Sequence, residues 1–324
     1  MPARRAPRGD PPHPRLRERR RRVRSRLRAA ASAFRASARE PQHVARLRRL
    51  QRRARPRRGG GVTGVSLAGV GVITGWGRGV DAWPDDARRA AGDRAVVTAA
   101  TPPLDGERFR RATRECLLGV AAVQATLDDA GISREAIAGT HTALLYVTAA
   151  AYGSSNRAFI AAGEPGSAGA LHFPYTAPSA VPAEVTIEYG LRGTYVTLIG
   201  GATVTLEALA WAGRLLAEGA CERALVLAVE TFAECADLFA RDRRLLSRPL
   251  TEAAACALLV LGARPIEIRA GDHVSDMTAR VDRRVGETLA CGPLLALALA
   301  RASGDDPWTV TGRWRGRTAA LAEA

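Results

Sequence analysis

The stretch Arg192–Gly219, RGTYVTLIGGATVTLEALAWAGRLLAEG, has the form of a nucleophile mount. A run rich in β-branched residues passes through Gly200 and Gly201 into a long apolar helical pattern that stops at Gly219. A thiol at such a turn sits at a helix N-terminus, where free N–H groups and the helix dipole stabilise its anion. The residue at this turn is Ala202, which has no reactive atom. The glycine pair also has a purely steric reading, since it permits a tight turn whatever follows.

Other residues that could do chemistry are scattered. The cysteines are Cys116, Cys221, Cys235, Cys256 and Cys291, with no CxxC pair among them. An odd, unclustered set points to reduced, mostly buried thiols and a cytoplasmic protein, and not to a metal site. The histidines are His13 and His43 near the N-terminus, His141 at the start of a strand, His172 in a proline-rich loop and His273 in AGDHVSD. The serines of YGSSN lack the surrounding glycines of a nucleophile elbow. GVGVITGWG mimics a dinucleotide-binding glycine pattern, but the acidic residue expected after a second strand is missing. Glu230 ends the strand pattern ALVLAVE and is expected to tie down that end of the sheet. No cofactor and no metal are expected.

The elements that must carry these residues alternate. VSLAGVGVIT, HTALLYVTA, TYVTLI, CERALVLAVE, AAACALLVLGA and PIEIRAG read as strands, and DPWTVTGRWRGRTAALAEA supplies two more. Helices are expected over 80–92, about 110–131 ending at Gly131, 152–163, SAVPAEVTIEYG with Ser179 as N-cap, and ETLACGPLLALALARASG. Nearly all-apolar strands alternating with helices imply a sheet covered on both faces.

The net charge of +16 is unevenly placed. Residues 1–60 hold 22 arginines against Asp10, Glu18 and Glu40, a charge of +19, so the remainder sums to −3. Dense like charge with few large apolar residues predicts a disordered tail over residues 1–61. It reads as a solvated tail or an upstream start, or as a segment that binds nucleic acid or an anionic surface. It lacks the apolar centre of a signal peptide, and no run of about 18 apolar residues predicts a membrane span.

From residue 62 the chain resembles the β-ketoacyl synthases of the thiolase superfamily. VSLAGVGVITGWGRGVDAW is similar to their opening strand and turn, ATLDDAGI to a following helix end, and GRLLAEGACERALVLAVE to the helix and strand beyond the nucleophile. HFPYTAPSAVPAEVTIEYGLRGTYVTL resembles the approach to the nucleophile turn, most like chain-length-factor members. The resemblance runs from about residue 62 to 262, with a weaker part at 284–323. It implies a thiolase-like layered αβαβα fold, divided into a first half at 62–262 and a trimmed second half at 263–324.

In active members the turn carries a cysteine, and two histidines from the second half complete the site. The resemblance puts the cysteine position at Ala202. One histidine comes from a Gly-His-Thr segment, which here resembles GETLACGP and places Glu287 at that position. The other belongs to a His-Gly-Thr-Gly-Thr motif with no counterpart in the chain. The expected function is a non-catalytic, chain-length-factor-type subunit in polyketide or fatty-acid biosynthesis. It would form a heterodimer with an active ketosynthase, or self-dimerise, and have an acyl carrier protein as a further partner. The rivals are an acyltransferase-type enzyme of the same fold with unconventional residues, and binding of nucleic acid or an anionic surface through the tail.

Overall fold

Side chains alternate across a strand, so a strand apolar at every position must be buried on both faces. That rule organises the computed structural model, which describes residues 64–104, 106–161, 173–232, 248–262, 266–270, 274–304 and 309–323. The arginine-rich tail, Cys235, His172 and His273 lie outside the described residues. The chain runs β1 (Gly64–Thr74), β2 (Gly77–Arg78), α1 (Ala87–Ala91), β3 (Val96–Val97), α2 (Arg114–Ala130), β4 (Thr142–Thr148), α3 (Gly153–Ala161), α4 (Ala180–Tyr189), β5 (Tyr195–Ile199), α5 (Ala202–Ala217), β6 (Arg223–Glu230), β7 (Leu250–Thr251), β8 (Ala253–Gly262), β9 (Ile266–Ala270), α6 (Asp276–Arg284), α7 (Gly292–Ser303), β10 (Thr309–Trp314) and β11 (Arg317–Glu323).

The main sheet has the order β2-β1-β8-β6-β4-β5. Strands β6, β4 and β5 are parallel to one another, while β8 runs antiparallel to both β6 and β1. Along β6, Leu225, Leu227 and Val229 join one core with Leu118, Val123 and Leu127 of α2 and Val185 of α4. The alternating Ala224, Val226 and Ala228 join the other, with Leu206, Leu209 and Leu216 of α5 and Leu294 and Leu297 of α7. Helix α5 also packs against β10, β11 and β9, which form a separate antiparallel sheet in the order β10-β11-β9. The described residues thus stack as helices, sheet, helices, sheet, with α6 packed against β10 and α7. This is the layered α/β arrangement expected from the sequence.

The two edges of the main sheet differ. Backbone groups of β1 are taken up by side chains and by the following turn. Asp129 accepts from Val70 N–H at 2.8 Å, Arg301 donates to the carbonyls of Leu67 and Ala68 at 3.2 Å each, and Gly79 N–H donates to Val72 O at 3.0 Å. Strand β5, at the other edge, pairs among the described residues only with β4 and leaves Tyr195 and Ile199 more than half exposed, at 51% and 54%.

Several element boundaries differ from the sequence reading. The helix expected over 80–92 shrinks to Ala87–Ala91, because Pro84 lies in the preceding turn and Asp86 supplies the cap by accepting from Arg89 N–H. Ser179 does occupy the N-cap position, but its side chain makes no capping bond. The last long helix starts later than expected, at Gly292, after a 3₁₀ turn at Leu289–Cys291. Helix α6 was not anticipated, although Ser275 caps it, Met277 and Val281 share its buried face, and Arg283 and Arg284 close it. No helix among the described residues is long and apolar enough to cross a membrane.

Candidate functional site

The turn Gly200–Gly201 delivers Ala202 as the first residue of α5. Gly200 N–H donates to Thr148 O at 2.9 Å, which fixes the turn against the end of β4. Glycine is required at 201 by contact: a β-carbon there would lie 2.2 Å from the Trp314 ring of β10. A β-carbon at Gly312 would in turn fall 2.8 Å from the backbone of Ala202. The β10 strand therefore lies directly over the start of α5.

Glu230 organises the other side. Its fully buried carboxylate accepts from the N–H groups of Ala149 at 2.7 Å, Ala150 at 2.9 Å and Ala290 at 3.3 Å. Burial pushes its pKa up to about 8, against the lowering effect of those N–H donors. The residue expected to tie down that end of the sheet does so, and it also pins the segment before α7. Thr205 of α5 donates to Ala290 O at 2.6 Å and completes the link. Glu287 and Leu289 are thereby held at the level of Ala202.

The result is a cleft of about 550 Å³. Ala202, Leu250, Leu289, Pro293 and Trp314 give it apolar surface, and Arg248, Asp282 and Glu287 give it charge. Arg248 bridges the two carboxylates, bonding Glu287 at 2.7 Å and also Asp282. Glu287 further accepts from Leu289 N–H at 3.1 Å. Burial raises the pKa of Asp282, with a smaller push from Glu287 and opposition from Arg248. Among the described residues, the two non-glycine positions with positive φ are Leu289, at 47°, and Arg315, at 49°, and both line this cleft. Backbone strain of this kind concentrates at functional sites.

Ala202 and Glu287, the two positions singled out in the sequence, are thus brought to one cleft. His141 and Ser155 are not among its lining residues. Cys116, Cys221, Cys256 and Cys291 are buried, and burial pushes Cys116 and Cys256 up to about 12, so these thiols are packed and unreactive. No group of three metal-ligating side chains occurs among the described residues. Sequence reasoning missed Arg248, Asp282 and Trp314. Arg248 lies 39 residues from Glu287, and no local pattern announces that pairing.

Comparison with known proteins agrees with the fold. No curated protein matches the chain in sequence. The solved ishigamide ketosynthase/chain length factor is similar in fold, with a TM-score of 0.59 at 18% identity over 80% of this chain and 98% of that one. A type II polyketide ketosynthase, AntDE, in complex with the acyl-carrier protein AntF gives 0.60 at 13% identity, over 81% and 99%. A β-ketoacyl synthase from Burkholderia phymatum STM815 gives 0.58 at 14% identity, over 81% and 99%. Residues 69–257, more than half of the chain, match the model of the β-ketoacyl synthase N-terminal domain, and the chain belongs to that family.

Proposed function

We propose that the protein is a non-catalytic ketosynthase-like subunit of the chain-length-factor type, acting in polyketide or fatty-acid biosynthesis. The observation that carries this reading is Ala202 at the first position of α5, where the helix N-terminus would activate a thiol. Across the cleft Glu287 stands where the resemblance places a histidine, and it is paired with Arg248 at 2.7 Å. With no nucleophile and no free base, condensation has no group to form the acyl-enzyme or to move the proton. What remains is cavity shape and a surface for partners.

Incubation with malonyl- and acyl-loaded carrier proteins is expected to give no ketoacyl product. Turnover of about 1 s⁻¹ or more, as in ordinary enzymes, would refute the reading. Ala202→Cys is expected to remain inactive in the same assay, because the missing bases are not restored.

The partner is an active ketosynthase or a second copy, paired through β5. Among the described residues that strand has no partner on its outer side, and it carries exposed apolar side chains, a template for another strand. Co-expression with a cognate ketosynthase is expected to yield a soluble complex burying more than about 2,000 Å². Val196→Asp should break it, since a charge beside a buried strand pair costs several kcal/mol. A stable monomer by light scattering, indifferent to Val196→Asp and to any ketosynthase, would contradict the pairing. Unconventional catalysis is favoured by one feature, the raised pKa of Asp282 in the cleft. Mass-detected acylation of the purified protein would support that alternative.

A further inference from the structure

Thr288 stands at the N-cap position of the turn Leu289–Cys291, and only 2% of it is exposed. A threonine there normally turns its hydroxyl back onto a backbone N–H. This one makes no capping bond, and its Oγ1 has no hydrogen-bond partner among the described residues. It lines the cleft over Ala202, and a β-carbon at Gly292, another lining residue, would lie 3.7 Å from that oxygen. The hydroxyl therefore faces the cleft, and a partner for it has to come from there. An unused polar atom on so buried a residue marks a place where something else completes the bonding.

The adjoining wall is short of positive charge. Arg248 is shared by Asp282 and Glu287, so this group is left with one net negative charge. Both oxygens of Glu287 are engaged, by Arg248 and by Leu289 N–H at 3.1 Å. Asp282 bonds Arg248 through Oδ2 alone, and its Oδ1 has no partner among the described residues. Burial raises the pKa of Asp282, and Arg248 opposes that only in part. Arg313 and Arg315 also line the cleft, but both are exposed, where water and salt screen them.

Two acceptors without donors, an unmatched negative charge and the apolar surface of Leu250, Leu289, Pro293 and Trp314 describe a complementary ligand. It brings N–H donors, carries a positive charge and continues into a short hydrocarbon chain. A primary ammonium meets all of these terms, with its donors on a single nitrogen. A neutral alcohol supplies a donor but leaves the charge unmatched. A carboxylate or phosphate supplies no donor and adds to the charge. We infer that this wall of the cleft binds the ammonium group of a primary alkylamine, held by Asp282 and Thr288. The site belongs to the present chain and needs no ketosynthase. Plain alkylamines and ω-amino acids share this chemistry.

The test uses the full chain at physiological salt and the probes hexylammonium, hexanoate and 6-aminohexanoate, with Kd read by calorimetry. Hexylammonium is expected to bind at least about tenfold more tightly than hexanoate. Asp282→Asn is expected to weaken hexylammonium about tenfold, since it removes a charged acceptor and leaves Arg248 paired with Glu287. Thr288→Val is expected to weaken it about threefold to tenfold while holding Tm within about 2 °C or raising it, because valine keeps the shape and discards an unused hydroxyl. A hydroxyl that served only the fold would give a lower Tm with unchanged binding, and that result overturns the inference. No binding of hexylammonium at about 10 mM, equal binding of hexanoate, or indifference to both substitutions overturns it too. Tighter binding of 6-aminohexanoate than of hexylammonium supports the site and points to amino acids, with Arg313 or Arg315 meeting the carboxylate. The reverse order supports it and points to plain amines. Because no ketosynthase is present, amine binding by a chain that never pairs with one keeps the site and removes the subunit role. Pairing without amine binding does the reverse.

Discussion

Replacing Arg114 by alanine is expected to destabilise the fold by about 3–5 kcal/mol, the loss typical of breaking a buried ion pair from one side. Glu252 is fully buried at the start of β8. Arg114, at the first position of α2, engages both of its oxygens, one of them at 2.9 Å. The same carboxylate accepts from Ala99 N–H at 2.9 Å and Phe232 N–H at 2.7 Å. One ion pair therefore joins the start of α2, the segment after β3, the exit of β6 and the entry to β8. Without the guanidinium the carboxylate must lose its charge or drag water inward. Arg114→Ala should lower Tm by roughly 10 °C, since each kcal/mol is worth about 2–4 °C in a domain of this size. Arg114→Met with Glu252→Gln removes both charges while keeping an acceptor for the amides, and should recover part of the loss. A shift of less than about 2 °C for Arg114→Ala would mean that the pair contributes no more than an exposed one.

The second large effect is a pH dependence centred on Glu230. Its pKa in the fold is about 8, above an ordinary carboxyl value of 4.5, because burial disfavours the charge. Between those values the folded state holds a proton that the unfolded state has released. Stability from this group is therefore complete below about pH 4.5 and is lost as pH rises through about 8. Chemical denaturation should show the protein less stable at pH 9 than at pH 5.5, by roughly 3 kcal/mol. Glu230→Gln removes the titration and should flatten that slope. Glu230→Ala should cost about 3 kcal/mol or more at pH 6, because the N–H groups of Ala149, Ala150 and Ala290 lose their acceptor. An equal slope in wild type and Glu230→Gln would show that the pH dependence arises elsewhere.

What the sequence could convey was local. The strands of the main sheet were legible because burial on both faces leaves an uninterrupted apolar run, as in RALVLAVE. Helix α2 was legible through its spacing and through Gly131, which closes it in the left-handed conformation at φ 66°. Helix α6 escaped because its apolar face is narrow, with Met277 and Val281 its buried positions. At the site, Ala202 could be placed from the glycine pair and Glu287 from the resemblance. Their cleft could not, since it depends on Arg248 and Trp314 arriving from distant segments. The contacts that decide it, Trp314 on Gly201 and Gly312 on Ala202, are matters of three-dimensional fit that no spacing encodes.

The unequal edges of the main sheet bear on stoichiometry. A strand that offers its backbone to a neighbour can recruit one chain, and a molecule with two such strands can recruit two and grow without limit. Here Asp129, Arg301 and Gly79 already engage Val70 N–H, the carbonyls of Leu67 and Ala68, and Val72 O along β1. Among the described residues, the longer edge strand of this sheet with no second partner strand is β5. Joining two β5 edges would consume both, so sheet extension through that strand would stop at a pair.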